Sequence, residues 1–256
     1  MKKALLAITV LFLQLPPYAS GAEVVVVPAP ADSADPASTP TLVFEVAEPQ
    51  ITLIVMPGGE GRLGLKDSST FSRNPTTQMA ARLADSGFSN VHANVVAMDT
   101  PRELFPLSLR AEPAHLSRMA GVVEYFRRKY ARPVWLLGHS AGTLSVSEYL
   151  RKMQADVPVA GAVLSGSMYL IKLPDALDIP LLFLHHESDE CRSTPAGYAR
   201  EHYEEAKRIN RAPTELLLVT GGESKGDPCR DGRHMYYGVN EEAAKLLAGF
   251  IGRTVR

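Results

Sequence analysis

The stretch Pro133-Val134-Trp135-Leu136-Leu137-Gly138-His139-Ser140-Ala141-Gly142 decides the fold. Its first half is an apolar run that reads as a buried strand, and its second half reads G-x-S-x-G. The residues that follow (Thr143, Leu144, Val146, Tyr149, Leu150, Met153) repeat at helical spacing. A chain that reverses from strand to helix within a few residues holds the central residue at a strained backbone position. Side chains at the two flanking positions would meet neighbouring backbone, and glycine removes that crowding. Such a turn lifts the Ser140 hydroxyl above the sheet edge, where a substrate carbonyl can reach it. The five-letter pattern alone is weak, and a plain strand-to-helix turn with a buried serine is the competing reading. The rest of the chain decides between them.

Working outward, Val24–Val27, Leu42–Val46, Ile51–Met56, Val91–Ala97, Ala160–Leu164, Pro180–His185 and Glu215–Val219 read as further strands. Thr76–Ser86, Pro113–Tyr130, Thr194–Asn210 and Asn240–Gly252 read as helices. Alternating apolar strands and helices imply an α/β fold: a mostly parallel sheet with helices on both faces. Only about 15 residues separate strand 160–164 from strand 180–185, which leaves no room for a large cap domain. The expected site is open and shallow, and Met98–Glu112, with Leu104 and Phe105, is the segment that could cover it.

Residues 1–22 read as a secretory signal peptide. Lys2 and Lys3 precede the apolar stretch Ala4–Leu15, too short for a stable bilayer anchor, and Ser20-Gly21-Ala22 supplies the small residues of a cleavage site. A buried N-terminal helix is the alternative. Residues 23–40 then form an N-terminal strand and a Pro/Ala-rich connection, either a long hairpin loop or a flexible tether, before the main domain at 41–256. Loss of the leader moves the net charge from −1 to about −3. With no basic excess, nucleic acid and anionic membranes are poor partners. The expected location is periplasmic or secreted. There an even cysteine count, Cys191 and Cys229, favours a disulfide over two unrelated buried thiols.

A serine hydroxyl needs a base, and the base needs a third group to hold it. On a sheet of this kind the order is Ser, then an acid after a later strand, then His after the last strand. Strand 180–185 runs into His186-Glu187-Ser188-Asp189-Glu190-Cys191, with Asp189 the preferred acid and Glu187 and Glu190 its rivals. His234 is the only histidine after the last strand. Cys191 lies two residues after Asp189 and Cys229 five before His234, so a bridge between them would pin the acid loop to the histidine loop. The oxyanion needs two backbone N–H donors: Ala141, directly after the nucleophile, and Gly59, with Glu60 as rival, in the loop Pro57-Gly58-Gly59-Glu60-Gly61. That loop lacks phosphate-binding spacing. Leu63, Leu65, Phe105, Met168, Tyr169, Met235 and Tyr236 are candidates for an acyl pocket or simply core. This chemistry calls for no metal and no organic cofactor.

With these motifs in hand, the chain resembles the α/β-hydrolase superfamily over nearly all of residues 40–252. More narrowly it is similar to a group of exported bacterial α/β-hydrolases of unassigned substrate, which carry comparable Gly58–Gly61, His185–Cys191 and Asp227–Cys229 segments. The resemblance implies a serine hydrolase cleaving the ester of a small molecule through an acyl-enzyme on Ser140, His234 and Asp189. A peptidase, amidase or thioesterase on the same residues, or a non-catalytic binding protein on the same fold, are the alternatives. The sequence says nothing of oligomeric state.

Overall fold

The computed structural model describes residues 22–65, 74–85 and 87–255, apart from 32 and 34. Eight strands build one sheet: β1 (Ala22–Val27), β2 (Thr39–Phe44), β3 (Ile51–Met56), β4 (Ala93–Met98), β5 (Val134–His139), β6 (Gly161–Ser165), β7 (Leu181–His186) and β8 (Thr214–Val219). Their order is β1-β2-β4-β3-β5-β6-β7-β8. β1 pairs antiparallel with β2, and β2 with β4; all other pairs are parallel. Helices α1 (Pro75–Ala81), α2 (Pro113–Tyr130), α3 (Gly142–Lys152), α4 (Ala196–Ile209) and α5 (Asn240–Thr254) cover it.

Each strand feeds two cores, because successive side chains point to opposite faces. On one face Ile54, Met56, Val134 and Leu136 pack with α2, α3 and α4 through Phe126, Tyr149 and Ala206. On the other, Leu53, Val55, Trp135 and Leu137 pack with α1 and α5 through Met79, Leu247 and Phe250. With both faces covered, β3 to β7 are buried along their whole length, which is why they read as mostly apolar runs rather than alternating ones.

Several boundaries shift. The leader expected at residues 1–22 lies outside the described residues except for Ala22, which pairs with Phe44 at the start of β1. The described residues of 28–38 connect the antiparallel pair β1 and β2 as a long hairpin loop rather than a tether. Arg118 of α2 holds them, donating to the Ala37 carbonyl at 2.7 Å and pairing with Asp35 at 2.5 Å. Pro30 lies against Gly121, where a β-carbon would stand 2.8 Å from the Pro30 ring. The helix expected at 76–86 splits into α1, capped by the Asn74 side chain, and a tighter turn at Arg82–Ala84; Ser86 lies outside the described residues. Between β6 and β7 no helix intervenes, so there is no cap domain among the described residues. None of the described helices is long and apolar enough to cross a membrane.

Candidate active site

Ser140 follows the last residue of β5 in the left-handed region, at φ 52°. The turn closes on itself so tightly that a β-carbon on Gly138 would lie 2.4 Å from the Gly142 carbonyl oxygen. One on Gly142 would lie 2.1 Å from the Met56 carbonyl oxygen, and one on Gly58 would lie 2.9 Å from Ser140 Cβ. The three glycines therefore let β3, the loop after it and the Ser140 turn touch backbone to backbone.

The loops after β7 and β8 bring Asp189 and His234 together. His234 Nδ1 stands 2.8 Å from Asp189 Oδ2, and both side chains are 1 % exposed. Asp189 receives three further donors: the Cys191 amide at 2.9 Å, the Thr194 hydroxyl at 2.9 Å, and His185 Nε2 at 3.3 Å. Burial pushes the Asp189 carboxyl up, but the hydrogen bonds from His185, His234 and the Cys191 amide outweigh it and hold the group well below the usual carboxylate range. The tautomer of His185 follows from its partners: Nδ1 accepts from the Ser167 amide, so Nε2 donates, to the Thr194 carbonyl as well as towards Asp189. His186 likewise accepts from the Ser188 amide and donates to the Gly221 carbonyl at 2.8 Å, tying the two loops together. The Cys191–Cys229 disulfide, Sγ–Sγ 2.09 Å, ties them again.

Of the rival acids, Glu190 is engaged by Arg233 and Ser224, and Glu187 faces solvent. With Nδ1–H committed to Asp189, His234 presents Nε2 as a free acceptor, and this atom has no partner among the described residues. Ser140 and His234 line one cavity of about 350 Å³. No hydrogen bond joins them in this structure; such bonds often tighten only when substrate is bound. Gly59, at φ 54°, lines the same cavity. The Gly59 and Ala141 amides have no other acceptor among the described residues.

The cavity is more polar than the acyl pocket expected from sequence. Glu60, Arg62, Asn74 and Arg230 line it, and of the apolar candidates only Met235 does. Tyr236 and Met168 are buried in the cores, Leu63 and Leu65 pack onto the α1/α5 core, Tyr169 lies against Tyr198, and Phe105 is 70 % exposed. Residues 98–112 do not cover the cavity; they run behind the loop after β3 and brace it. The Asp99 carboxylate accepts from the Leu63 and Leu65 amides, the Thr100 hydroxyl donates to the Gly61 carbonyl, and the Leu104 amide donates to the Glu60 carbonyl. A larger cleft of about 690 Å³ lies between residues 27–30 and α2, remote from Ser140.

Sequence reasoning missed His139, Thr194 and Arg110. The His139 ring lies tilted against that of His234, ring centroids 4.7 Å apart and planes at 36°. Its Nδ1 bonds the Ser165 hydroxyl, which bonds Tyr236, whose hydroxyl donates to the Leu184 carbonyl. Burial first, then His234, lowers the His139 pKa, so the ring stays neutral. Among the described residues there is no cluster of three or more side chains suited to a metal.

No family model matches the chain, and no curated protein matches its sequence. Solved structures do match its fold. An α/β serine hydrolase without a lid from Xanthomonas campestris superposes with a TM-score of 0.62 at 14% identity, over 91% of this chain and 95% of that one. A dienelactone hydrolase from Anabaena variabilis gives 0.59 at 11% identity, over 92% and 99%. A cold-adapted esterase from an Arctic intertidal metagenomic library gives 0.57 at 14%, over 87% and 91%. The chain has the α/β-hydrolase fold.

Proposed function

We propose that this α/β-hydrolase-fold protein is a serine hydrolase that cleaves a carboxylic ester through an acyl-enzyme. The observation that carries the reading is the 2.8 Å contact of Asp189 with His234 Nδ1, which leaves the buried Nε2 without a partner on a ring that lines the same cavity as Ser140. Ser140 Oγ attacks the ester carbonyl while His234 takes its proton. Asp189, held ionised by its four donors, keeps the imidazole in that tautomer and stabilises the imidazolium. The Gly59 and Ala141 amides receive the oxyanion. His234 then returns the proton to the leaving alcohol, and water, activated by the same imidazole, releases the acid.

The lining supports a compact ester with polar groups over a long acyl chain, since Glu60, Arg62, Asn74 and Arg230 surround the one apolar candidate, Met235. An exported location fits the disulfide and the leader-like N-terminus. A series of nitrophenyl esters tests the reading. Turnover should be fastest on acetate and fall through butyrate to octanoate. A preference for octanoate contradicts the polar pocket, and cleavage of anilides as fast as esters favours an amidase.

A further inference from the structure

Arg110 sits in the short turn Leu107–Ala111 ahead of α2 and is 1 % exposed. Its Nη2 donates to the carbonyls of Gly59 at 2.8 Å, Pro57 at 3.2 Å and Gly58 at 3.5 Å. Its Nη1 donates to the Ser145 hydroxyl at 2.9 Å, and Ser145 in turn bonds His115 Nε2 at 2.9 Å. No carboxylate among the described residues lies within ion-pair distance of it. Burial lowers its pKa to about 10, so it is still a cation at neutral pH. His115 beside it is neutral, its pKa lowered to about 3 by burial and by the charges of Arg110 and Arg118. A buried guanidinium without a counterion is costly to the fold, and an apolar side chain would fill the space more cheaply.

We propose that Arg110 is the positioning residue of the oxyanion loop, fixing the Gly59 donor and placing an uncompensated positive charge behind the developing oxyanion. The inference rests on the serine hydrolase reading. In a trans peptide the N–H points opposite to the C=O. The Gly58 carbonyl accepts from the Gly61 amide at 3.0 Å and lies 3.5 Å from the buried guanidinium, so the Gly59 N–H points the other way, out of the packed interior. Gly59 at φ 54° allows the chain to turn the Gly59 carbonyl to the same side as those of Pro57 and Gly58. A fixed charge in a poorly solvated interior acts on the oxyanion without reorganising as the charge forms. Thr100 and Leu104 steady the next two carbonyls, so the guanidinium completes a brace under the whole loop.

The test uses the purified, disulfide-intact protein with Arg110→Met and Arg110→Lys. It reads kcat and KM on an ester that wild type turns over, and the affinity of an alkyl boronic acid, whose serine adduct is a tetrahedral anion. Arg110→Met should lower kcat about 10- to 100-fold and weaken the boronate by a similar factor, with KM changing less than about 3-fold. Arg110→Lys, which keeps the charge but not the three-carbonyl grip, should recover part of both. A folded Arg110→Met with wild-type kcat and boronate affinity, differing only in Tm, would reduce Arg110 to a structural plug. If Arg110→Met fails to fold, Arg110→Lys decides: kcat and boronate affinity falling together support the inference, and both unchanged overturn it. A wild type that neither takes a phosphonate on Ser140 nor cleaves any ester sinks the hydrolase reading, and this one with it.

Discussion

The carbonyl oxygen of Met56 occupies the space in which a side chain on Gly142 would have to stand, 2.1 Å from the position of its β-carbon. Met56 ends β3 and opens the oxyanion loop, while Gly142 opens α3 directly after the Ser140 turn. The candidate nucleophile and the candidate oxyanion donors are thus positioned against each other by backbone contact.

Gly142→Ala should destabilise the protein by about 2–4 kcal/mol, because rigid backbone rather than a flexible side chain has to move. Esterase activity should fall with it. Gly197→Ala, where nothing lies within 4 Å of the added carbon, is the matched control in α4 and should be neutral or stabilising by up to about 1 kcal/mol. Urea unfolding of both variants measures this. Equal midpoints would refute the close approach.

The disulfide closes a separation of 38 residues and ends two positions beyond Asp189. A Cys191→Ser/Cys229→Ser double variant should lose about 3–4 kcal/mol of stability. Since the Cys191 amide also donates to Asp189, the acid should loosen and kcat/KM fall about 10- to 100-fold. Unchanged melting and unchanged turnover under reduction would show that the bridge does not hold the site.

Acid should destabilise the fold before its carboxylates titrate. His115 is neutral in the folded state down to about pH 3, whereas an unfolded histidine titrates near 6.5. The unfolded state therefore binds the extra proton. The contribution is full above about pH 6.5 and declines as pH falls towards 3, by about 1.4 kcal/mol per pH unit for this one group. His139 acts with the same sign. Asp189 enters lower: its pKa is depressed from 3.8, so its contribution is present above that value and is lost only as pH falls below it. Urea unfolding from pH 7 to pH 4 should show the slope, and His115→Gln should reduce it by about one proton. An identical slope in that variant would contradict the assignment.

Much of this was legible in the sequence for a physical reason. Strands buried on both faces are mostly apolar, so β3, β5, β6 and β7 announce themselves. A turn as crowded as that around Ser140 tolerates only glycine at 138 and 142. Asp189 and His234 follow from chain order along the sheet. What stayed hidden depends on three-dimensional context. Arg110 carries a charge, and charged residues are ordinarily at the surface; nothing local reveals that three carbonyls are waiting for it. Thr194 and His185 gain their meaning only once the loop after β7 folds back over Asp189. The proline-rich residues 28–38 do not show from composition that Arg118 will clamp them. Of the apolar acyl-pocket candidates Met235 lines the cavity, whereas Tyr236 and Met168 are buried in the cores, a distinction that apolar character alone does not make.

Treatment of the purified, disulfide-intact protein with a fluorophosphonate probe, with the adduct located by mass spectrometry, tests the nucleophile assignment most directly. The expected result is a single adduct on Ser140, absent in Ser140→Ala and slowed by about 10³-fold or more in His234→Ala. A well-folded protein that takes no adduct, or takes it on another residue, would contradict the assignment.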